Sequence, residues 1–441
     1  MNCAAVCLLL CALHFVCAQA EGETGFHQEM PPYLRMTQVT KTQTGEGRMQ
    51  IRKTYPDTAN EEIDAQMRGL IDAMAEEALA RIAVRTRETD LDVGAVVSRS
   101  GSSYMSFLTI AQANEGTSPL FVQVQSRVYD VKTGKRVTLK DVFGEQSEAW
   151  TLMAQEVRAQ LSAAFPGREP DEETLARFCS REALENADFT LGAARLTLTY
   201  PADSLYPGAV APLHVHLYYS RIRPMMTETA QAQTDNSRFP MIALTYDDGG
   251  AGISTRRVLD ELRRAGAQAT FFVVGRTIGR SRYLLTRQQS SAYSIQSHTY
   301  THSYPEDLNT EMAFEEKARF SSELAQITGV PPTMMRAPGG NESFYVRREI
   351  GYPLLHWSLA SGDSGNKNYS KIARRVIHGA QDGDIVLMHD LNIGCWQYSA
   401  RILEALSQRG FLFVTVEELF DDAGVELEEN GVYYSPYDRR E

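Results

Sequence analysis

Four short polar segments between residues 245 and 389 carry side chains that could together cleave an acyl bond. They read TYDDG at 245–249, SHTYTH at 297–302, RAPGG at 336–340 and LMHD at 387–390. Histidine and carboxylate side chains can hold a divalent metal, a further carboxylate can accept a proton, a further histidine can donate one, and an arginine can orient the carboxylate. This combination of groups predicts hydrolysis of an amide or an ester.

The spacing of two histidines indicates a metal site. His298 and His302 stand at i and i+4, which would place them on one face of a helical turn. There they could share one metal ion, and a carboxylate as third ligand would leave positions open for water and substrate. Alone, such histidines are more typical of surface or capping positions, so the interpretation depends on the other segments.

Two adjacent acids supply the carboxylates. Asp247 and Asp248 follow an apolar run, and neighbouring residues at a strand end point in different directions. One can therefore bind the metal while the other faces the attacking water. Alone, such a pair is more typical of a helix cap or a turn. The co-occurrence of the acids with the histidines favours a catalytic site.

The elements that position these segments alternate between strand and helix. Apolar strands are predicted at 241–246, 269–274, 293–297, 333–336, 354–358, 384–389 and 411–416, and helices at 254–265, 307–327, 369–379 and 396–409. This alternation predicts an α/β fold with a parallel sheet closed into a barrel. Each polar segment comes where a strand ends, and the carboxyl ends of barrel strands are where active sites form.

The first half of the chain has a different pattern. Alternating strand patterns occur at 36–56, 92–135, 194–199 and 213–219, and helical patterns at 63–74, 147–163 and 172–184. They predict a smaller α+β domain. The predicted organisation is a signal peptide at 1–20, a spacer at 21–35, the α+β domain at 36–221, a linker at 222–238, the barrel domain at 239–420 and an acidic C-terminal tail at 421–441.

The first twenty residues predict export. They contain no Lys, Arg, Asp or Glu and end in Ala18-Gln19-Ala20, a small-x-small cleavage pattern. We therefore expect a secreted bacterial protein that is extracellular or associated with the cell wall. A membrane partner is expected only if this segment is retained as an anchor.

Charge and cysteine content exclude other classes. The net charge of −12 argues against a nucleic-acid partner. Separately, we expect the protein to be a monomer. Four of the six cysteines lie within residues 1–20, which leaves Cys179 and Cys395. They are predicted to be independent thiols, with a single bridge between them as the alternative.

The polar segments resemble the signatures of the polysaccharide deacetylases of the NodB-homology type, carbohydrate esterase family 4. Those signatures are T-F-D-D-G, H-[S/T]-x-x-H, R-x-P followed by an aromatic residue, D-x-x-D-W, and L-x-H. They occur in family order, and the resemblance covers about residues 239–420. It implies a distorted (β/α) barrel. The preceding domain is similar to extracellular α+β domains found before peptidoglycan deacetylase domains. We expect it to contact the cell wall or to position the enzyme on it.

The resemblance assigns a role to each matching residue. It implies Asp247 as general base, Asp248, His298 and His302 as metal ligands, Arg336 as the partner that orients the base, Leu387 as a wall for the acetyl methyl group, and His389 as general acid. Zinc fits two histidines and one carboxylate best, and manganese, cobalt or nickel fit the same ligands.

Two elements depart from the family pattern. Gly339 stands where an aromatic residue is usual, and we expect it, with Gly340, to bring backbone N–H groups close to the substrate. The fourth element keeps Asp363 but lacks the tryptophan. Asp363 is expected to tune His389, with capping of its own loop as the alternative.

Two aromatic residues after the last segment are candidates for substrate binding. Trp396 and Tyr398 are expected to stack on sugar rings, and the alternative is that they belong to the core.

The function expected from these observations is metal-dependent removal of N-acetyl groups from a cell-wall glycan, on GlcNAc or MurNAc of peptidoglycan. Within the same class, the alternatives are a chitin-oligosaccharide deacetylase and an acetyl xylan esterase. From a different class, the alternative is a catalytically inert wall-binding or sensory protein. The intact set of ligands, base, arginine and acid favours the enzyme.

Overall fold

The computed structural model describes residues 35–44, 48–82, 88–101, 103–249, 252–304, 307–341 and 350–438. The predicted signal peptide and nearly all of the spacer lie outside the described residues. Within the described ranges, no helix is both long and apolar enough to cross a membrane. Cys179 and Cys395 are both free thiols, as predicted.

The N-terminal domain begins with a six-stranded sheet. Its strands follow one another in chain order: β1 (Arg35–Thr44), β2 (Arg48–Asp57), β3 (Thr89–Ser100), β4 (Tyr104–Glu115), β5 (Ser118–Asp130) and β6 (Lys135–Val137). All neighbours are antiparallel except β2 and β3, which helix α1 (Glu61–Ile82) connects as a crossover. Along β3, Leu91 and Val93 join α1 in an apolar cluster, so the alternate residues of β3 face away from α1.

A three-stranded antiparallel sheet completes this domain. It consists of β7 (Phe189–Leu191), β8 (Arg195–Tyr200) and β9 (Leu213–Tyr218). The helices of this part are α2 (Leu139–Phe143), α3 (Ser147–Ser162), α4 (Glu172–Phe178), α5 (Arg181–Glu185), α6 (Tyr219–Ile222) and α7 (Glu228–Gln233). Met153, Val157 and Leu161 of α3 recur at i, i+4 and i+8 and are buried in a shared core with Leu196 and Leu198 of β8. The predicted α+β domain is confirmed.

The segment predicted as a linker folds against this domain. Residues 222–238 contain a 3-10 turn at Arg223–Met225 and helix α7, and Ala230 is fully buried in the core. The Asn236 side chain donates to the Ala193 carbonyl (2.7 Å) and accepts from the Gly101 N–H (2.9 Å). These helical turns are too short to repeat an apolar pattern, so they could not be recognised in the sequence.

The C-terminal half is a distorted barrel of parallel strands, as expected. The strands are β10 (Met241–Asp248), β11 (Thr270–Val273), β12 (Ser294–Ser297), β13 (Leu354–Leu355), β14 (Leu359–Ala360), β15 (Asp384–His389), β16 (Leu412–Val414) and β17 (Val432–Tyr433). The helices are α8 (Ile253–Ala265), α9 (Arg282–Ser290), α10 (Thr310–Thr328), α11 (Tyr369–Gly379), α12 (Cys395–Gln408) and α13 (Val416–Asp422). The main sheet runs β12-β11-β10-β15-β14, with β16 beside the start of β10.

The barrel is distorted because one of its strands is reduced to a single residue that bridges its two neighbours. Residues 333–336, predicted as a strand, contribute only Met335, which bridges Ser297 on one side and Leu354 on the other. Of the predicted strand at 354–358, only Leu354–Leu355 is a strand (β13), and β14 begins just after the predicted range, at Leu359. Helix α9 was not predicted, because it buries polar residues such as Gln288 and Thr286 that carry no apolar pattern.

The described part of the predicted C-terminal tail folds onto the barrel. Helix α13 continues to Asp422, and β17 pairs with β13. Val425, Leu427 and Tyr433 pack against a core cluster of the barrel. The acidic residues around these apolar positions made their pattern difficult to recognise in the sequence.

A buried ion pair connects the two halves of the molecule. Arg195 of β8 lies 3.2 Å from Glu418 of α13, with side chains that are 6% and 2% exposed. Because removing one partner leaves a buried charge uncompensated, we expect Arg195→Ala to lower the free energy of unfolding by about 3–5 kcal/mol.

Arg158→Ala is the matched control, since its pair with Glu172 is 49% and 71% exposed. It should cost no more than about 1 kcal/mol. Chemical denaturation of both variants measures the difference, and equal losses would show that the Arg195 pair does not stabilise the junction.

Candidate functional site

The predicted site residues meet at the carboxyl end of the barrel strands. Asp247 at the end of β10 pairs in register with His389 at the end of β15. On the other side, Asp248 is in register with Val273 of β11, and Val273 with Ser297 of β12. His298 follows directly, so adjacent strands bring together side chains that are far apart in the chain.

Asp248, His298 and His302 form a cluster that could hold a metal ion. Their ligand atoms all lie within 4.8 Å of one another. Asp248 Oδ1 is 3.3 Å from His302 Nε2 and 3.8 Å from His298 Nε2. The hydrogen bond and charge of Asp248 raise the pKa of His302, whereas burial lowers the pKa of His298. Two imidazoles and a carboxylate fit a divalent ion such as zinc.

A hydrogen bond behind the cluster fixes one ring. His298 Nδ1 lies 2.9 Å from the Arg336 carbonyl oxygen. A carbonyl only accepts, so Nδ1 carries the proton and the lone pair of Nε2 is directed towards Asp248. Such outer hydrogen bonds orient metal-binding histidines.

The two histidines do not lie on a helical turn, so that expectation is wrong. Residues 298–302 form an irregular loop with positive φ angles at Thr299 (59°) and His302 (62°), and Asp248 has φ of 77°. Backbone strain of this kind concentrates at functional sites. The Thr299 hydroxyl accepts the His302 N–H (3.1 Å), and this turn brings the rings to 5.1 Å between centroids.

The Arg336 side chain forms a hydrogen bond with Asp247 and fixes its orientation. Its Nη1 donates to Asp247 Oδ1 and to Thr245 Oγ1, both at 2.7 Å. Its Nε and Nη2 donate to the carbonyls of Leu355 (3.0 Å) and His356 (2.7 Å). The guanidinium is fully buried and held on every side, so it orients Asp247 rigidly. The other oxygen, Asp247 Oδ2, lies 3.8 Å from His298 Nε2.

His389 is paired with Asp363. Its Nδ1 lies 2.8 Å from Asp363 Oδ1, and its backbone N–H donates to Asp363 Oδ2 at 2.8 Å. Burial lowers the pKa of His389, but the hydrogen bond and charge of Asp363 outweigh it, together with the charges of Asp247 and Asp248. The pKa of His389 is raised to about 9. The imidazole is therefore protonated at neutral pH and can act as a proton donor.

Two polar residues to which the sequence analysis did not assign this role complete the support of His389. The Tyr398 hydroxyl donates to Asp363 Oδ2 (2.6 Å), and the Asn392 amide donates to the same oxygen (3.1 Å). Tyr398 is fully buried, so its ring offers no face to a sugar and its predicted role in stacking is corrected. It positions Asp363 instead.

Asp390 was also missed. Its Oδ1 accepts the Gly249 N–H (3.0 Å), and its side chain is fully buried. The bond fixes the turn directly after Asp248, where φ is positive at both Asp248 and Gly249. The residue after His389 thus steadies the turn that follows Asp248, a member of the cluster that could hold a metal ion.

The remaining predicted substrate contacts stay predictions. Leu387 and Trp396 are half-buried, and the Trp396 ring lies 5.0 Å from the Arg257 guanidinium. Gly339 has φ of 68°, and a Cβ there would come within 3.0 Å of the Tyr304 ring. The Gly340 N–H is already donated to the Ala337 carbonyl (3.0 Å), so it is not free for a ligand.

Comparisons with known proteins find a matching family model and several similar chains. The family model described as polysaccharide deacetylase matches residues 234–353. A peptidoglycan-N-acetylglucosamine deacetylase of Listeria monocytogenes is 28% identical over 324 residues, which is 71% of this chain and 67% of the relative. A peptidoglycan-N-acetylglucosamine deacetylase of Bacillus cereus is 34% identical over 187 residues, 41% of this chain and 87% of the relative. The solved structure of the peptidoglycan deacetylase PdaC from Bacillus subtilis aligns at 27% identity and a TM-score of 0.41, covering 42% of this chain and 93% of that one.

Proposed function

Because the chain belongs to the polysaccharide deacetylase family, we propose that it is a secreted, metal-dependent hydrolase that removes N-acetyl groups from peptidoglycan. One observation carries the proposal: the Asp248–His298–His302 cluster lies beside both a buried carboxylate held by Arg336 and a histidine held protonated by Asp363. Acyl hydrolysis needs these three parts together.

The ligand cluster fits a divalent metal, with Asp248, His298 and His302 as the protein ligands. Zinc is the best match for this donor set, and manganese, cobalt or nickel fit it as well. When bound, such an ion supplies positive charge that acidifies water and polarises an acyl carbonyl.

Asp247 is placed to accept the proton of the attacking water. Its Oδ1 is occupied by Arg336, while its Oδ2 is directed towards the metal cluster. A carboxylate whose one oxygen is fixed and whose other oxygen faces the site is suited to act as a general base.

His389 is placed to protonate the departing amine. It lies across from Asp247 on the neighbouring strand, and its pKa of about 9 keeps it charged at neutral pH. Asp363 fixes Nδ1, so Nε2 is the nitrogen left to donate a proton.

The names of the relatives support the substrate class that we propose. Both curated relatives carry names that specify N-acetylglucosamine in peptidoglycan, and we propose the same sugar here, with N-acetylmuramic acid as the alternative in the same polymer. The apolar, cleavable pattern of residues 1–20 supports export to that polymer.

Mass spectrometry of three substrates tests this assignment. Peptidoglycan fragments, chitin oligomers and acetylated xylan are each incubated with the metal-loaded protein. We expect loss of acetyl groups from N-acetylglucosamine of the peptidoglycan fragments to be fastest. Faster loss from chitin oligomers or from xylan esters would replace peptidoglycan as the substrate.

His389→Ala should separate amide from ester chemistry. An amine leaving group needs a proton, whereas the phenolate of an aryl acetate leaves without one. We expect amide hydrolysis to fall by on the order of a hundredfold or more, with partial retention of aryl acetate hydrolysis and unchanged metal content. Equal losses on both substrates would remove His389 from the role of acid.

Asp363→Asn should change the pH dependence of kcat. The acid must be protonated, so activity declines as the pH rises through the pKa of His389, about 9. Without the Asp363 carboxylate, only the charges of Asp247 and Asp248 oppose the effect of burial, so that pKa falls and the decline should move to lower pH by at least about one unit. A pH profile of the metal-loaded variant measures the shift. An unmoved alkaline limb would show that Asp363 only caps its loop.

A further inference from the structure

A polar face of the six-stranded sheet meets two helices of the barrel. Strands β2, β3 and β4 align Arg52 with Asp92 and Asp92 with Gln112. These three residues therefore share one face, opposite to the apolar face that packs on α1. A cavity of about 170 Å³ lies between this polar face and helices α8 and α9.

Arginines dominate the charge of this interdomain cavity. The charged residues that line it are Arg52, Arg256, Arg263, Arg287, Asp90 and Asp92. Asp92 Oδ1 is 3.1 Å from Arg263 Nη1, and its Oδ2 is 3.8 Å from both Arg52 Nη2 and Arg287 Nη2. Arg287 also pairs with Asp260 at 2.5 Å. The lining therefore carries a net positive charge.

Asp92 does not cancel this excess. Burial raises the pKa of Asp92, but the charges of Arg287, Arg263 and Arg52 outweigh it and lower the pKa to about 2. One carboxylate is thus shared among three guanidinium groups, and each of them keeps donors for another acceptor.

Two buried polar atoms of the lining have no hydrogen-bond partner among the described residues. They are Arg52 Nε, which can only donate, and Gln112 Oε1, which can only accept. The amide of Gln112 cannot be turned around, because its Nε2 donates to the Tyr283 carbonyl (3.0 Å). Gln112 is only 3% exposed, and leaving such atoms unpaired is costly.

We propose that the interdomain cavity binds a hydrogen phosphate group. Its negative oxygens match the guanidinium donors, including Arg52 Nε, and its remaining O–H matches Gln112 Oε1. A cavity of about 170 Å³ has room for a tetrahedral anion, since a water molecule occupies about 30 Å³. The group is either the free ion or a phosphate monoester that keeps one O–H, and it joins Arg52 of the N-terminal sheet to Arg263 and Arg287 of the barrel.

Calorimetric titration of the full-length protein at constant ionic strength tests the proposal. Inorganic phosphate should bind at least about tenfold more tightly than sulfate, which at neutral pH has no proton to donate to Gln112. Arg52→Gln and Arg256→Gln should each weaken phosphate binding by about tenfold or more.

Three controls define the site. Arg264→Gln changes the same charge on α8, but Arg264 is 48% exposed, pairs with Glu261 and does not line the cavity, so binding should be unchanged. The double variant His298→Ala with His302→Ala should also keep binding, which separates this cavity from the metal cluster. Methyl phosphate at about pH 5, where it keeps one O–H because its second pKa is near 6, distinguishes the source: binding as tight as that of inorganic phosphate at the same pH indicates a phosphorylated molecule, and weaker binding indicates the free ion.

The proposal is overturned if phosphate does not bind, if sulfate binds equally well, or if Arg52→Gln and Arg256→Gln bind phosphate as the unchanged protein does.

Discussion

Replacing His298 and His302 together by alanine is expected to remove both bound metal and activity. Elemental analysis should show about one divalent ion per chain before the change and a background level after it. Asp248 alone would remain as a ligand, and one carboxylate does not hold such an ion against water. Deacetylation should fall by at least about a thousandfold, since the ion acidifies the attacking water.

His378→Ala is the matched control. His378 is an exposed residue of α11 that belongs to none of the four polar segments, and its loss should change neither metal content nor activity. Stoichiometric metal that survives the double change would place the metal site elsewhere in the protein.

The change Asp247→Asn should stop catalysis while leaving the metal in place. Asparagine has nearly the same shape, and its oxygen can still accept from Arg336. It cannot accept a proton from water, so we expect kcat to fall by roughly a hundredfold to ten-thousandfold. The measurement is steady-state kinetics on an N-acetylated oligosaccharide with elemental analysis of the same preparation.

A different outcome would exchange the roles of the two acids. If Asp247→Asn loses its metal, Asp247 is a ligand, and Asp248 becomes the candidate base. The present geometry argues otherwise, because Asp248 is the closer of the two to His302, at 3.3 Å.

The strand ends and their polar residues were predictable from the sequence. Buried strands such as β10 and β15 are continuous apolar runs, and the residues that follow them must lie at one end of a parallel barrel. The residues of the candidate metal site, Asp248, His298 and His302, were therefore predicted from the sequence alone. The conformation of the loop from His298 to His302 was not, because i, i+4 spacing fits both a helical turn and a strained loop.

Contacts between distant elements could not be read from the chain. Tyr398 and Asn392 reach Asp363 across the fold, and no local pattern marks a tyrosine as the support of a carboxylate. The sheet face with Asp92 and Gln112 is another example. Polar residues that alternate with apolar ones usually indicate a solvated face, yet here that face is covered by the barrel.

We propose that this site hydrolyses acetyl groups of peptidoglycan by a mechanism that requires a metal at Asp248, His298 and His302 and a base at Asp247. The most direct test is mass spectrometry of peptidoglycan fragments after incubation with the full-length protein, with chelator, and after zinc is restored. We expect acetyl loss with the metal-loaded protein, none with chelator, recovery with zinc, and none with Asp247→Asn. Acetyl groups that stay intact with the metal-loaded protein, or acetyl loss that chelator does not affect, would contradict the claim.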